Sequence, residues 1–175
     1  MSNIPVLLPE RPMPAYSYVP GKFPHPTGDP QGHSFGESPK ELMYLDPDQW
    51  RSCKAYLHGI DLFNHGYYWE SHESWEVVWI AAGREGMIAD FAKGLIKLAA
   101  ASVKAREGSA IGVARHTTRG ARLFSKIEPQ TPILMGLSLA KLREFSQHLA
   151  ANADSVVNTS DEPVLRIHDF ILVPR

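Results

Sequence analysis

The chain contains a single cysteine, Cys53, in 175 residues. One thiol closes no internal disulfide and supplies no multi-cysteine zinc or iron–sulfur site. An excess of charge is missing as well: 18 lysines and arginines stand against 19 aspartates and glutamates, a formal net charge of −1. That balance removes the general electrostatic drive toward nucleic acid or an anionic membrane. No apolar run reaches the ~18 residues that begin to read as a membrane span. The first residues are broken by Pro5 and Pro9 and lack the apolar stretch of a secretory signal. A cytoplasmic protein with no membrane span, and with nucleic acid disfavoured as a partner, is the expectation. The length suits one domain with an extension, and a chain of this size buries about 70% of its unfolded surface without a covalent staple.

What is present in quantity is proline and histidine. Ten of the 14 prolines precede Asp48. Proline fixes φ and removes a backbone donor, so this stretch is neither helical nor central in a sheet. It is also not a typical disordered tail. Tyr16, Tyr18, Val19, Phe23 and Phe35 recur through it, and apolar side chains favour docking on a folded body. The expected organisation is an extended arm over residues 1–45, a helical body over 46–153 and a tail over 154–175. The arm carries His25, between Pro24 and Pro26, and His33.

From Asp46 the pattern turns helical. Asp46 followed by Pro47 is an N-cap with proline at the first helical position. The signals predict a helix from Pro47 to about His65, stopped by Gly66. A second covers Tyr67 to Ala82, and a third runs from about Glu85 to Glu107. A fourth is capped by Ser109 and runs to Ile127, and a fifth runs from near Ser138 to about Ala153. Residues 163–174 read as an extended tail or one helical turn. The fold class is all-α: a single bundle or array of about five helices carrying a proline-rich N-terminal arm.

On the second helix, residues placed ~100° apart gather Trp75, Tyr68, Trp79, His72, Glu76, Trp69 and Ile80 on one arc. An aromatic arc is expected to be the buried one. It holds His72 and Glu76 four residues apart and therefore stacked, with Glu73 on the flank. A buried carboxylate costs several kcal/mol unless paired, protonated or bound to a cation. Two readings follow. One is a structural His–Glu pair. The other is a divalent ion (Zn, Fe or Mn) held by His72 and Glu76 with His25 and His33 brought in by the arm, Glu73 serving as general base. The pattern is not the zinc-protease H-E-x-x-H, because Glu76 stands in place of the second histidine. Glu-x-x-His pairs of di-iron bundles are absent.

Two basic stripes remain. Lys93, Lys97 and Lys104 line one face of the third helix, and Arg115, Arg119, Arg122 and Lys126 line one face of the fourth. Solvated faces are the simplest reading; a phosphate-binding stripe or an acidic-ligand pocket using Lys93, Arg115 and Arg119 is the alternative. His116 sits at the edge of the fourth helix's apolar arc, either as a core histidine or as a third group near His72.

The run Leu62-Phe63-Asn64-His65-Gly66-Tyr67-Tyr68-Trp69-Glu70-Ser71-His72-Glu73 leads into Trp75-Glu76 and Trp79. Gly94-Leu95-Ile96-Lys97-Leu98-Ala99-Ala100 follows. This resembles the bacterial and archaeal family called domain of unknown function 309, over about 65 residues, and the arm resembles the N-terminal extension of one branch. The resemblance implies a small helical array that self-associates, here as a homodimer, and it implies no reaction. The family's marked positions correspond to Asn64, Gly66, Glu70, His72, Glu73, Glu76 and Trp79. Lys93 and Lys97 depart from its pattern, which has glutamine there. Asn64, His65, Glu70 and His116 are taken as binding residues for a ligand of unknown identity. The favoured function is a binding or structural module with a buried His–Glu site; the alternative is a metal-dependent enzyme of hydrolase type.

Overall fold

The computed structural model describes residues 4–37 and 45–175. Residues 1–3 and 38–44, which fall within the expected arm, lie outside the described residues.

Asp46 accepts a hydrogen bond from the Asp48 N–H, with Pro47 behind it, so a helix starts where the caps require. The first element, Pro47–Ser52, is a 3-10 helix, and Gln49 within it already leaves helical dihedrals (φ −106°, ψ 30°). Cys53 (φ −79°, ψ 89°) ends it, and α1 begins afresh at Lys54–Asn64. The single helix expected over 47–65 is therefore two elements. The break turns Trp50 onto Tyr56, with ring centroids 6.0 Å apart, and this buried aromatic contact outweighs continuous helix.

The remaining helices are α2 (Tyr68–Ala81), α3 (Met87–Arg106), α4 (Ala110–Ile127) and α5 (Leu139–Ala151). Ser109 caps α4 by accepting from Gly112 N–H, and Ser138 caps α5 by accepting from Lys141 N–H, as local sequence indicates. Gly66 separates α1 from α2 at φ 91°, with the Leu165 carbonyl 2.9 Å from where a Cβ would stand; only glycine accepts both conditions. Each helix packs on the next in sequence, because connections of a few residues fold each one back on its predecessor. The architecture is an all-α array.

One small feature has no counterpart in the periodicity. Ile133–Leu134 (β1) pairs antiparallel with Leu137–Ser138 (β2). Met135 (φ 47°) and Gly136 (φ 80°) form the turn between them, both left-handed as a two-residue hairpin of this twist requires. After a 3-10 turn at Ala153–Val156, the chain runs to Arg175 without further regular structure.

The main core cluster buries Tyr56, Ile60, Phe63, Tyr68, Trp75, Phe91, Leu95, Leu98, Phe124 and Leu142, and a small second one joins Ala105, Val113 and Ala153. α3 is the centre of the main cluster, buried on most of its circumference. α1 and α2 approach closely at Gly59, where an added Cβ would lie 2.3 Å from Trp75 Nε1. No helix among the described residues is long and apolar enough to cross a membrane.

Candidate functional site

The orientation of α2 differs from the aromatic arc read from the sequence. Its buried face is Tyr68, Ser71, Ser74, Trp75 and Val78. His72, Glu73, Glu76, Trp69 and Trp79 are only half-buried. The helix is rotated by roughly a quarter turn from the expected position. Ser71 and Ser74 explain this. They are small enough to let neighbouring elements close on the helix, and Ser71 satisfies its hydroxyl on the Tyr68 carbonyl at 2.9 Å. His72 and Glu76 are therefore not a buried pair, and no desolvation argument applies to Glu76.

The rotation leaves three neighbouring groups of α2 at the water boundary. One ligand atom each from His72, Glu73 and Glu76 falls within 4.8 Å of the others. Within the group, His72 Nδ1 lies 3.3 Å from a Glu73 carboxylate oxygen. Imidazole nitrogen with two carboxylate oxygens suits zinc, iron(II) or manganese. Three protein donors leave coordination positions open on such an ion.

The arm histidines stand elsewhere. His33 Nε2 meets Glu70 Oε1 at 3.0 Å, with the two side chains 9% and 6% exposed, and its Nδ1 faces the Ser34 hydroxyl at 3.0 Å. His25 Nδ1 accepts from Gly28 N–H at 3.0 Å, and its ring packs edge-on against Tyr18 and Trp69 at 5.0 and 5.5 Å. Neither belongs to the group formed by His72, Glu73 and Glu76. An arm histidine does meet a carboxylate of α2, one and a half turns before Glu76.

The residues expected to bind a ligand mostly hold the chain to itself. Glu70 also accepts from Tyr18 N–H at 2.8 Å. Its second oxygen is buried with no hydrogen-bond partner among the described residues. Asn64 is buried and uses both ends of its amide on Leu172, donating to the carbonyl at 2.9 Å and accepting from the N–H at 2.8 Å. His65 donates from Nδ1 to the Asp61 carbonyl at 2.7 Å. His116 lies between α3 and α4, and burial, with Lys97, Arg119, Lys104 and Arg115 around it, lowers its pKa to about 4.

Three anchors escaped sequence reasoning. Asp61, 0% exposed, accepts from the N–H groups of both Leu7 and Leu8 at 2.8 Å; burial raises its pKa against the pull of those two donors. Arg106, 1% exposed, donates to the Glu162 carbonyl at 2.6 Å and the Ser160 carbonyl at 3.3 Å. His168 inserts its ring among Phe63, Tyr68 and Phe145, and burial, with Arg166 next, lowers its pKa to about 4. Only a charged residue inside an apolar arc, as at Asp61, could have signalled any of them.

The stretch that builds α1, α2, α3 and the start of α4 also carries the family signal. Residues 56–116 match the family model described as Domain of unknown function (DUF309). Over that stretch the chain is similar to DUF309. The DUF309 segment contains Asn64, His65, Glu70, His72, Glu73 and Glu76, and it ends at His116. The arm, the hairpin, α5 and the tail lie outside it. No curated protein and no solved structure matches the chain. Two grooves, of about 470 Å³ beside Ala121, Arg122 and Gln147 and about 320 Å³ beside Trp50, Met87 and Ile133, contain none of the His72 group.

Proposed function

We propose that this protein is a binding module whose α2 carries an open divalent-cation site made of His72, Glu73 and Glu76. The observation that supports this reading is the convergence of three ligand atoms within 4.8 Å on a half-exposed surface. Glu76 lies four residues from His72 and three from Glu73, so it stacks against both along the helix, and the rigid helix holds them without help from a loop. Zinc, iron(II) or manganese is the class of ion that matches one nitrogen and two oxygens. The open positions then take water or an oxygen-bearing ligand. In the hydrolase alternative Glu73 works as a base on metal-bound water. That role requires Glu73 to leave the ligand set, and its grouping with the other two favours the binding reading.

Titration calorimetry of tag-free protein with zinc and with manganese tests the proposal. One equivalent of metal is expected to bind, and His72→Ala and Glu76→Gln are each expected to weaken it at least about tenfold. Absence of any binding, with stability unchanged in chelator, would overturn it. Loss of folding cooperativity in His72→Gln or Glu76→Gln would instead support a purely structural pair.

A further inference from the structure

The two basic stripes, on separate helices in sequence, come to one seam. α3 and α4 pack against each other. At Gly120 an added Cβ would lie 3.5 Å from Lys97 Cβ and 3.5 Å from the Gly94 carbonyl oxygen. At Gly112, two turns earlier, it would lie 2.8 Å from Lys104 Cγ. His116 is four residues from each of these glycines and so on the same face of α4, where Lys97 and Lys104 both act on it electrostatically. Arg115 and Arg119 flank it on α4, exposed. At the α2 end of the seam, the Lys93 ammonium stands 5.9 Å from the Trp79 ring centroid.

Among the described residues no carboxylate forms an ion pair with Lys93, Lys97, Arg115 or Arg119, whereas Lys22, Lys126 and Arg143 each have one. Lys104 meets Glu107 at the far end. The seam repels itself. The Lys97 pKa is lowered by burial and then by Arg119 and Lys93. His116 carries a buried Nδ1 with no hydrogen-bond partner among the described residues. In a chain of net charge −1, four adjacent unpaired cations around a half-buried imidazole are a concentration of one sign rather than a general solubilising coat.

We propose that the α3–α4 seam binds a compact polyanion of the oligophosphate class, with Lys97 and Arg119 as its central contacts and Lys93 and Arg115 at its ends. Arginine and lysine together supply several donors to tetrahedral oxyanions. From Lys93 to Lys104 the seam is only about 16 Å long at helical rise, which fits a few phosphoryl groups rather than a long nucleic acid. The proposal is independent of the metal reading, since its residues lie on other helices.

The test uses the full chain with inorganic tripolyphosphate at low ionic strength, followed by calorimetry and by NMR of the His116 ring. Expected are one site, affinity falling with added salt, and an upward move of the His116 titration when the anion is bound. Lys97→Gln and Arg119→Gln are expected to weaken binding at least about tenfold and Lys126→Gln by less than about twofold. Both variants alter side chains that are at least partly exposed, and thermal melts confirm folding. If either is misfolded, the wild-type His116 signal decides alone. No tripolyphosphate binding, an unmoved His116, or an equal loss in Lys126→Gln would overturn the proposal. Binding to anionic vesicles or single-stranded RNA without binding to tripolyphosphate would overturn it too.

Discussion

The two sides of the helical array treat their charged groups in opposite ways. On the α1–α2 side, the arm and the tail lie against the helices, and the polar side chains there are consumed by backbone. Asp61 holds Leu7 and Leu8, Glu70 holds Tyr18 and His33, and Asn64 holds Leu172. On the α3–α4 side, Lys93, Lys97, Arg115 and Arg119 remain without ion-pair partners among the described residues. Extended chain carries one N–H and one C=O per residue that must be satisfied when buried. A face that receives such chain therefore spends its polar side chains on it. A face that does not leaves them unspent. The His72, Glu73 and Glu76 group lies at the margin, on the part of α2 that remains half-exposed.

The contrast can be broken most severely at Asn64. Asn64→Ala leaves the Leu172 N–H and carbonyl unpaired inside the protein, and a loss of about 2–4 kcal/mol is expected from two orphaned groups. Denaturant unfolding measures it; a change below about 0.5 kcal/mol would mean the tail is not held by this contact.

Acid attacks one buried histidine on each side next. The pKa values of His168 and His116 are both lowered to about 4, below the ~6.5 of an unfolded histidine. Between these values the unfolded chain binds more protons, so stability is fully present above pH ~6.5 and declines as pH falls toward ~4. Thermal melts across that range should show a falling midpoint. His168→Phe should flatten the slope, and an unchanged slope would remove His168 from the account.

A smaller effect is expected at the arm. Glu70→Gln keeps the shape but removes the charge facing His33, so the arm should become more open to proteolysis near Tyr18 while the helical array keeps its circular dichroism. Equal proteolysis in both proteins would show that aromatic packing of Tyr18 and His25 on Trp69 holds the arm without Glu70. The least effect on folding belongs to His72→Ala: within about 0.5 kcal/mol, as for a partly exposed side chain away from the core, with metal binding lost. A large destabilisation there would return His72 to a structural role.

The legible parts of this molecule are those governed by near neighbours in sequence. Asp46, Ser109 and Ser138 cap where their identities indicate, and Gly66 ends α1. The break at Cys53 and the hairpin turn at Met135 were not legible. The first depends on where Trp50 packs, and the second uses a methionine in a left-handed position that asparagine or glycine normally fills. The site was half-legible. His72, Glu73 and Glu76 fall together because helical spacing guarantees it. Their exposure was misread because α2 has aromatic residues on more than one side, and the interior side is the one with the small serines.

Composition and local pattern were therefore enough for an all-α array, its caps and the family that residues 56–116 resemble. Helix rotation, the target of each arm residue and the meeting of two basic stripes were decided by packing. These depend on contacts between residues far apart in the chain: Glu70 with His33, Asn64 with Leu172, Lys97 beside Gly120. No local periodicity encodes such pairs, because each helix alone is indifferent to which neighbour its faces will meet.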